Sequence, residues 1–240
     1  MSGVAAVVRG TLHCRDGQPC TPVPFEGRRL GEAELDAVIA LHRLVLAGMP
    51  AHLVAAETNA FFADHMSRIG RTLGLFAEDR LIAYGVLGLP GPADPNFADD
   101  LGLAATERAR VAHIDGIGVR PEWRGNRLQR VLTAWRIREA VLAGRSLVIT
   151  TVAPGNGASL RNILAEGLTI RALRQKYGGW RYLMVRDLNT PVVPPPDGGR
   201  WIDAADVITQ EHLLAAGSIG WKAESAEAGM RVWFAPAAET

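Results

Sequence analysis

The stretch from residue 109 to residue 152 constrains the fold most tightly. A strand candidate at 109–119 runs through a tight turn into a long helix over 125–142, and the apolar run at 147–152 reads as a buried strand. Strand, helix and strand in that order imply a right-handed crossover and a parallel pair.

Around this unit the pattern is mixed. From Glu32 the residues Leu35, Val38, Ile39, Leu41, Leu44 and Val45 recur at helical spacing, ending at Gly48-Met49-Pro50. A weaker helical stretch covers 57–69. Runs at 72–77 and 81–87, joined at Glu78-Asp79-Arg80, read as an antiparallel hairpin. Residues 88–107, rich in Gly, Pro and Asp, read as a long connection of the kind that often carries function. A short helix at 156–165 and strands at 169–176 and 180–187 follow.

The first thirty or so residues lack a sustained period and read as an irregular arm with one strand near 25–30. Pro191, Pro194, Pro195, Pro196, Gly198 and Gly199 mark a linker. The expected organisation is one domain over 1–189, the linker at 190–199, and a C-terminal extension over 200–240 with a helix at 205–215 and a strand at 231–234.

With 240 residues, 48% of them hydrophobic, the chain can bury a large core without a metal or disulfide staple. A formal net charge of +1 gives no reason to expect nucleic acid. The longest apolar runs, such as 81–90, fall short of the roughly 20 residues of a membrane span. No leader pattern opens the sequence, so no membrane association and a cytoplasmic location are expected. Cys14 and Cys20 lack zinc-site partners and read as free thiols, with a disulfide between them the alternative; no metal is expected.

The turn into the long helix has the architecture of an anion site, because orphan N–H groups and the positive end of the helix dipole attract phosphate there. Gly125 and Asn126 tolerate unusual backbone angles. Arg127 and Arg130 sit at the unfavourable end of the dipole, which a bound polyanion explains; a solvated basic face is the alternative. Gly116 and Gly118 inside a strand mark a bulge or a close backbone approach.

Val119-x-Pro121-x-x-Arg124-Gly125-x-x-Leu128 resembles the signature of the GNAT acyltransferases, V-x-P-x-x-R-G-x-G-x-G/A. The resemblance covers about residues 72–188. It implies a mixed α/β fold: a twisted, mostly antiparallel sheet, helices on both faces, and a splayed parallel pair at strands 4 and 5 of the family's sheet. It also implies acetyl-CoA, or another acyl-coenzyme A, as cofactor. Ile117, Gly118 and Val119 would lie along the pantetheine arm, and Arg124, Gly125, Asn126, Arg127, Leu128 and Gln129 around the pyrophosphate. Arg127 and Gln129 depart from the pattern, standing where the family most often has small residues. Pro154-Gly-Asn156-Gly-Ala-Ser159 resembles a second family segment, in which Asn156 and Ser159 would hold the cofactor arm.

Acyl transfer to an amine needs a base and an oxyanion donor. By resemblance the donor is a backbone N–H near Val119, and His113 occupies a position where family members carry a base. Asp115, two residues on, faces the same side and suits a proton relay with it; alternatively His113 caps a polar sheet face. The family's tyrosine acid is replaced by Ile163, with Tyr177 either a substitute or an ordinary strand residue. His42 and His65 read as surface or satisfied core residues, and Trp123, Trp135 and Trp180 as packing.

The function implied is transfer of an acetyl or short acyl group to a small-molecule or peptide amine. A degenerate acyl-CoA sensor is the alternative, motivated by Arg127, Gln129 and Ile163. The acceptor pocket is expected between the first two helices and the 88–107 connection. The tail reads as an arm building a homodimer or as a lid over that pocket.

Overall fold

The two apolar runs at 72–77 and 81–87 do form a hairpin, closed by Glu78 and Asp79 with φ of 49° and 59°, the left-handed backbone that a two-residue hairpin turn requires. It belongs to a computed structural model that describes residues 8–13, 21–227 and 229–237; Cys14 and Cys20 lie outside them.

In chain order the elements begin with β1 (Val8–Leu12), β2 (Val23–Leu30), α1 (Leu35–Ala47), α2 (Asn59–Ser67), β3 (Gly70–Ala77) and β4 (Arg80–Gly88). Next come α3 (Phe97–Asp100), α4 (Ala105–Arg108), β5 (Val111–Val119), α5 (Leu128–Leu142), β6 (Leu147–Val152) and α6 (Gly157–Leu164). The chain continues with β7 (Thr169–Lys176), β8 (Gly179–Asp187), β9 (Arg200–Asp203), α7 (Val207–Ala215), β10 (Ser218–Ala226) and β11 (Gly229–Pro236). The strands form one sheet in the order β1-β2-β3-β4-β5-β6-β8-β7-β10-β11-β9. Among the described residues only β5 and β6 run parallel, so the expected mixed α/β architecture with a single parallel pair is present. On one face α1 and α2 close over Tyr84 and Val86; on the other α5 covers Leu73, Leu75 and Ile82. No helix among the described residues is long and apolar enough to cross a membrane.

Several sequence expectations need correction. The first thirty residues are not merely irregular: β1 pairs antiparallel with β2, and Gly10, lacking a side chain, leaves room for the Phe25 ring. The long helix starts at Leu128 rather than Gly125, because Gly125 and Arg127 have φ of 92° and 57°, outside helical space. The 88–107 connection contains two short helices, the first packing Ala98 against Val111 and Ile149. The tail has two strands beyond the one expected; β10 joins β7 through the single pair Gly220↔Ile170, and α7 sends Gln210 to accept from the Tyr182 hydroxyl at 2.6 Å.

The feature that positions the site is a bulge in β5. Between the pairs Gly85↔Ile117 and Leu87↔Ile114, one residue of β4, Val86, faces two of β5, Asp115 and Gly116. The extra residue lets Ile114 and Ile117 both face the side covered by α5 and α6, and it breaks the ladder. Arg136 of α5 repairs the break. Its guanidinium, 1% exposed, donates to Val86 O at 3.2 Å and to Asp115 O at 2.9 Å. Its other nitrogens reach Leu132 O and Thr133 Oγ1.

The two strand glycines differ in cause. A Cβ at Gly118 would stand 2.4 Å from the Tyr84 ring, so protein packing alone demands glycine there. A Cβ at Gly116, in the bulge, would meet nothing nearer than 3.6 Å. Arg136→Met is expected to lower the unfolding free energy by about 1–3 kcal/mol for each carbonyl it strands, measured by urea titration. In the same assay Gly118→Ala should destabilise, whereas Gly116→Ala should stay within about 1 kcal/mol of the parent.

Candidate active site

The parallel pair is short. It runs from Val111↔Leu147 to His113↔Ile149, and the last link is the Thr150 hydroxyl donating to Ile114 O at 2.6 Å. Beyond it β6 follows β8 as far as Val152↔Tyr182, while β5 stays with β4, so the two strands part. The bulge at Asp115 and Gly116 lies where they separate.

On the α5 and α6 side of this opening runs a groove of about 400 Å³. Ile117 and Val119 form one wall, Asn156 and Ser159 the other, and Arg124, Gly125, Arg127, Leu128 and Gln129 its end. Among the described residues, the backbone N–H groups of Gly125 through Gln129 meet no acceptor. They form a row of free donors at the start of a 15-residue helix, where the dipole adds positive potential. Such a cradle fits a phosphate-bearing cofactor.

Both departures from the family signature have a structural outcome. Arg127 is exposed and its backbone takes the left-handed conformation that glycine favours, so the turn keeps its path with a cation at its tip. Gln129 turns its amide toward α6, donating to Ser159 Oγ at 2.8 Å and accepting from Asn162 Nδ2 at 2.9 Å. Arg130 is held by Glu166 at 2.8 Å, so a protein carboxylate already accounts for its charge. Asn156 caps α6 by accepting from Ser159 N–H at 3.2 Å.

Two residues expected at the cofactor do not line the groove. Gly118 is occupied with Tyr84, and Asn126 bonds the backbone of His13, accepting from its N–H at 2.7 Å and donating to its carbonyl at 3.0 Å.

Through the opening lies a smaller cavity of about 120 Å³, lined by Glu57, Asp115, Gly116, Thr150, Tyr177 and Arg181, among others. Glu57, half-buried, is pushed up to about 7 by burial, with the Asp115 carboxylate adding to the rise and His65 opposing it. His65 Nδ1 faces Phe61 O at 2.7 Å and its Nε2 lies 3.6 Å from Asp115 Oδ2. Burial opposes its charging, but Asp115, Phe61 O and Glu57 together raise its pKa above the ordinary value.

His113 sits in the adjoining recess rather than in this cavity. Its Nε2 accepts from Phe97 N–H at 3.2 Å, its ring lies against Phe97, and Nδ1 is 3.9 Å from Asp115. Burial lowers its pKa, keeping the ring neutral. The structure thus brings His113 and Asp115 to one side of β5, as expected, but only Asp115 reaches the cavity.

His42 is a satisfied buried residue: Nε2 accepts from Glu57 N–H at 3.1 Å and Nδ1 meets the Tyr84 hydroxyl at 2.8 Å. Ile163 is buried on the cavity wall, offering no proton. The sequence reading passed over Glu57 and Arg181 and gave His65 no partner. Each comes to Asp115 or its cavity from a distant element, and no local spacing announces that.

No protein-family model matches the sequence, and no curated protein matches it. Solved structures do. Salmonella typhimurium yncA, solved with its cofactor acetyl-CoA, is 18% identical with a TM-score of 0.53, over 71% of this chain and 98% of that one. The ribosomal-protein-S18-alanine N-acetyltransferase of Escherichia coli is 16% identical at 0.52, covering 72% and 97%. A GNAT-family acetyltransferase of Streptococcus pneumoniae is 15% identical at 0.53, covering 68% and 99%. The chain therefore has the fold of the GNAT acetyltransferases.

Proposed function

We propose that this chain is a GNAT-type N-acyltransferase that moves an acetyl or short acyl group directly from acyl-CoA to a small-molecule or peptide amine. The observation that carries the reading is the row of N–H donors from Gly125 to Gln129, free among the described residues, at the end of a groove that opens between β5 and β6 onto the cavity of Glu57 and Asp115.

The N–H groups of Gly125, Arg127, Leu128 and Gln129, with the Arg124 and Arg127 side chains, hold the pyrophosphate. Ile117 and Val119 face the pantetheine arm, and Asn156 and Ser159 border it from the other side. Bound acetyl-CoA supplies the activated acyl carbonyl. In the cavity Glu57 takes the proton that the amine loses as its nitrogen bonds to that carbonyl. The thiolate released from acyl-CoA would be the leaving group, and a thiolate is a far better leaving group than an alkoxide or amide, so the chemistry does not require the tyrosine that Ile163 replaces. Burial, with Asp115 adding to it, keeps Glu57 in the titrating range, and His65 and His113 position Asp115 from its two sides. Arg127 and Gln129, which favoured a degenerate sensor, leave the groove open here.

Two outcomes are expected. Calorimetry should give micromolar binding of acetyl-CoA and CoA, and Gly125→Val, which forces a branched side chain into φ of 92°, should weaken it at least about tenfold with the fold intact by circular dichroism. Binding without CoA release across an amine panel would return the sensor reading. Glu57 must be ionised to accept a proton, so kcat/KM should rise with pH through a midpoint at about 7. Glu57→Gln should remove that limb and lower the rate by about 10²-fold or more; an unchanged profile would place the base elsewhere.

A further inference from the structure

Arg181 of β8 is only 3% exposed, lines the cavity of Glu57 and Asp115, and is incompletely satisfied. Its Nη1 donates to Trp180 O at 2.9 Å, and its guanidinium carbon lies 5.8 Å from the centre of the Tyr177 ring. Its Nη2 is buried and has no hydrogen-bond partner, and among the described residues no carboxylate pairs with it.

The other buried or neighbouring cations of this region are satisfied. Arg136, on the same cavity, donates through Nε, Nη1 and Nη2. Arg174, opposite Arg181 in the β7–β8 register, donates to Asp100 O and Leu173 O, and Lys176 pairs with the Asp100 carboxylate at 2.8 Å. Burying a guanidinium with a donor left empty is costly, and the cost is recovered where a ligand completes the set. The ligand chemistry that suits a guanidinium fork is a carboxylate. The cofactor's pyrophosphate does not answer, because Arg181 is not among the residues lining the groove.

One small cavity thus presents a carboxylate pair, Glu57 and Asp115, and an unpaired guanidinium. That pattern is complementary to a zwitterion. We propose that the acceptor is an amino acid, held by its carboxylate on Arg181 while its amine meets Glu57. The proposal rests on the transferase reading for the fate of the amine, but the carboxylate site stands independently of turnover.

The test has a binding arm and a turnover arm. In calorimetry a panel of L-amino acids, each paired with its decarboxylated amine, is titrated into the full chain with and without CoA. At least one amino acid should bind about 10- to 100-fold more tightly than its amine, and Arg181→Gln should erase the difference while leaving acetyl-CoA affinity unchanged. Arg181→Lys should restore part of it. CoA release is then followed with the same pairs.

Amino-acid binding that depends on Arg181 without acyl transfer would keep the carboxylate site and sink the transferase reading. Equal binding and turnover of amino acids and amines in the parent chain, a comparison that needs no variant, would overturn the proposal and leave the transferase intact. Arg181-dependent preference for succinyl-CoA over acetyl-CoA with simple amines would also overturn it, assigning the carboxylate to the donor.

Discussion

Arg136 joins parts of the molecule that would otherwise be independent. A bulge leaves backbone carbonyls unpaired in the middle of a sheet, and burying them unpaired would cost about twice the net value of an ordinary hydrogen bond. The guanidinium that meets them projects from the same helix whose first turn carries the free N–H row. Eight residues of α-helix separate Leu128 from Arg136, a rise of roughly 12 Å. The rigid rod therefore fixes the spacing between the phosphate cradle and Asp115, whose own carbonyl Arg136 holds. The loss of pairing that opens the sheet and the cation that tolerates it come as a unit.

The acid cluster follows from that geometry. Asp115 reaches the cavity from the bulge, His65 approaches it from α2, and Glu57 enters from the segment before that helix. Three histidines surround these acids, each fixed by a backbone contact: His42 by Glu57 N–H, His65 by Phe61 O and His113 by Phe97 N–H. Burial lowers the pKa of His42 and of His113, so the positive charge that tempers the carboxylates falls to His65. A site with this balance keeps the Glu57 carboxyl group titrating at about 7.

What the sequence made legible is what local chemistry specifies. The strand, turn and helix at 109–142 were readable because proline, glycine and hydrophobic spacing act over a few residues, and one wall and the end of the cofactor groove are built from that segment, with α6 and the end of α1 supplying the rest. Gly118 has a packing cause that the sequence did not announce, since the space a Cβ would need is filled by Tyr84 of the neighbouring strand. Glu57 and Arg181 carried no signal, because an exposed-looking acid before a helix and an arginine in a strand become unusual only when the fold buries them. The strand at Val8–Leu12 escaped because Gly10 interrupts its alternation, and that gap is filled by Phe25 from the paired strand. The strands of the tail are short or polar, and their pairing partners are one another.

The seam between that tail and the main sheet is a single residue pair. Continuity of the sheet there is nominal, and the connection runs instead through side chains: Val232 and Phe234 enter the core beside Ile170 and Tyr182, Gln210 meets the Tyr182 hydroxyl, and others reach α6. Met230 fills the space a Cβ at Gly157 would need, its sulfur 2.5 Å from that position, and Arg161 Nη1 donates to Ser225 Oγ at 3.1 Å. Gly157 is the first residue of α6, immediately after the Asn156 that walls the groove, and Arg161 lines the groove as well. The tail is thus a splint set against one jaw of the cleft, while the other jaw is anchored by Arg136.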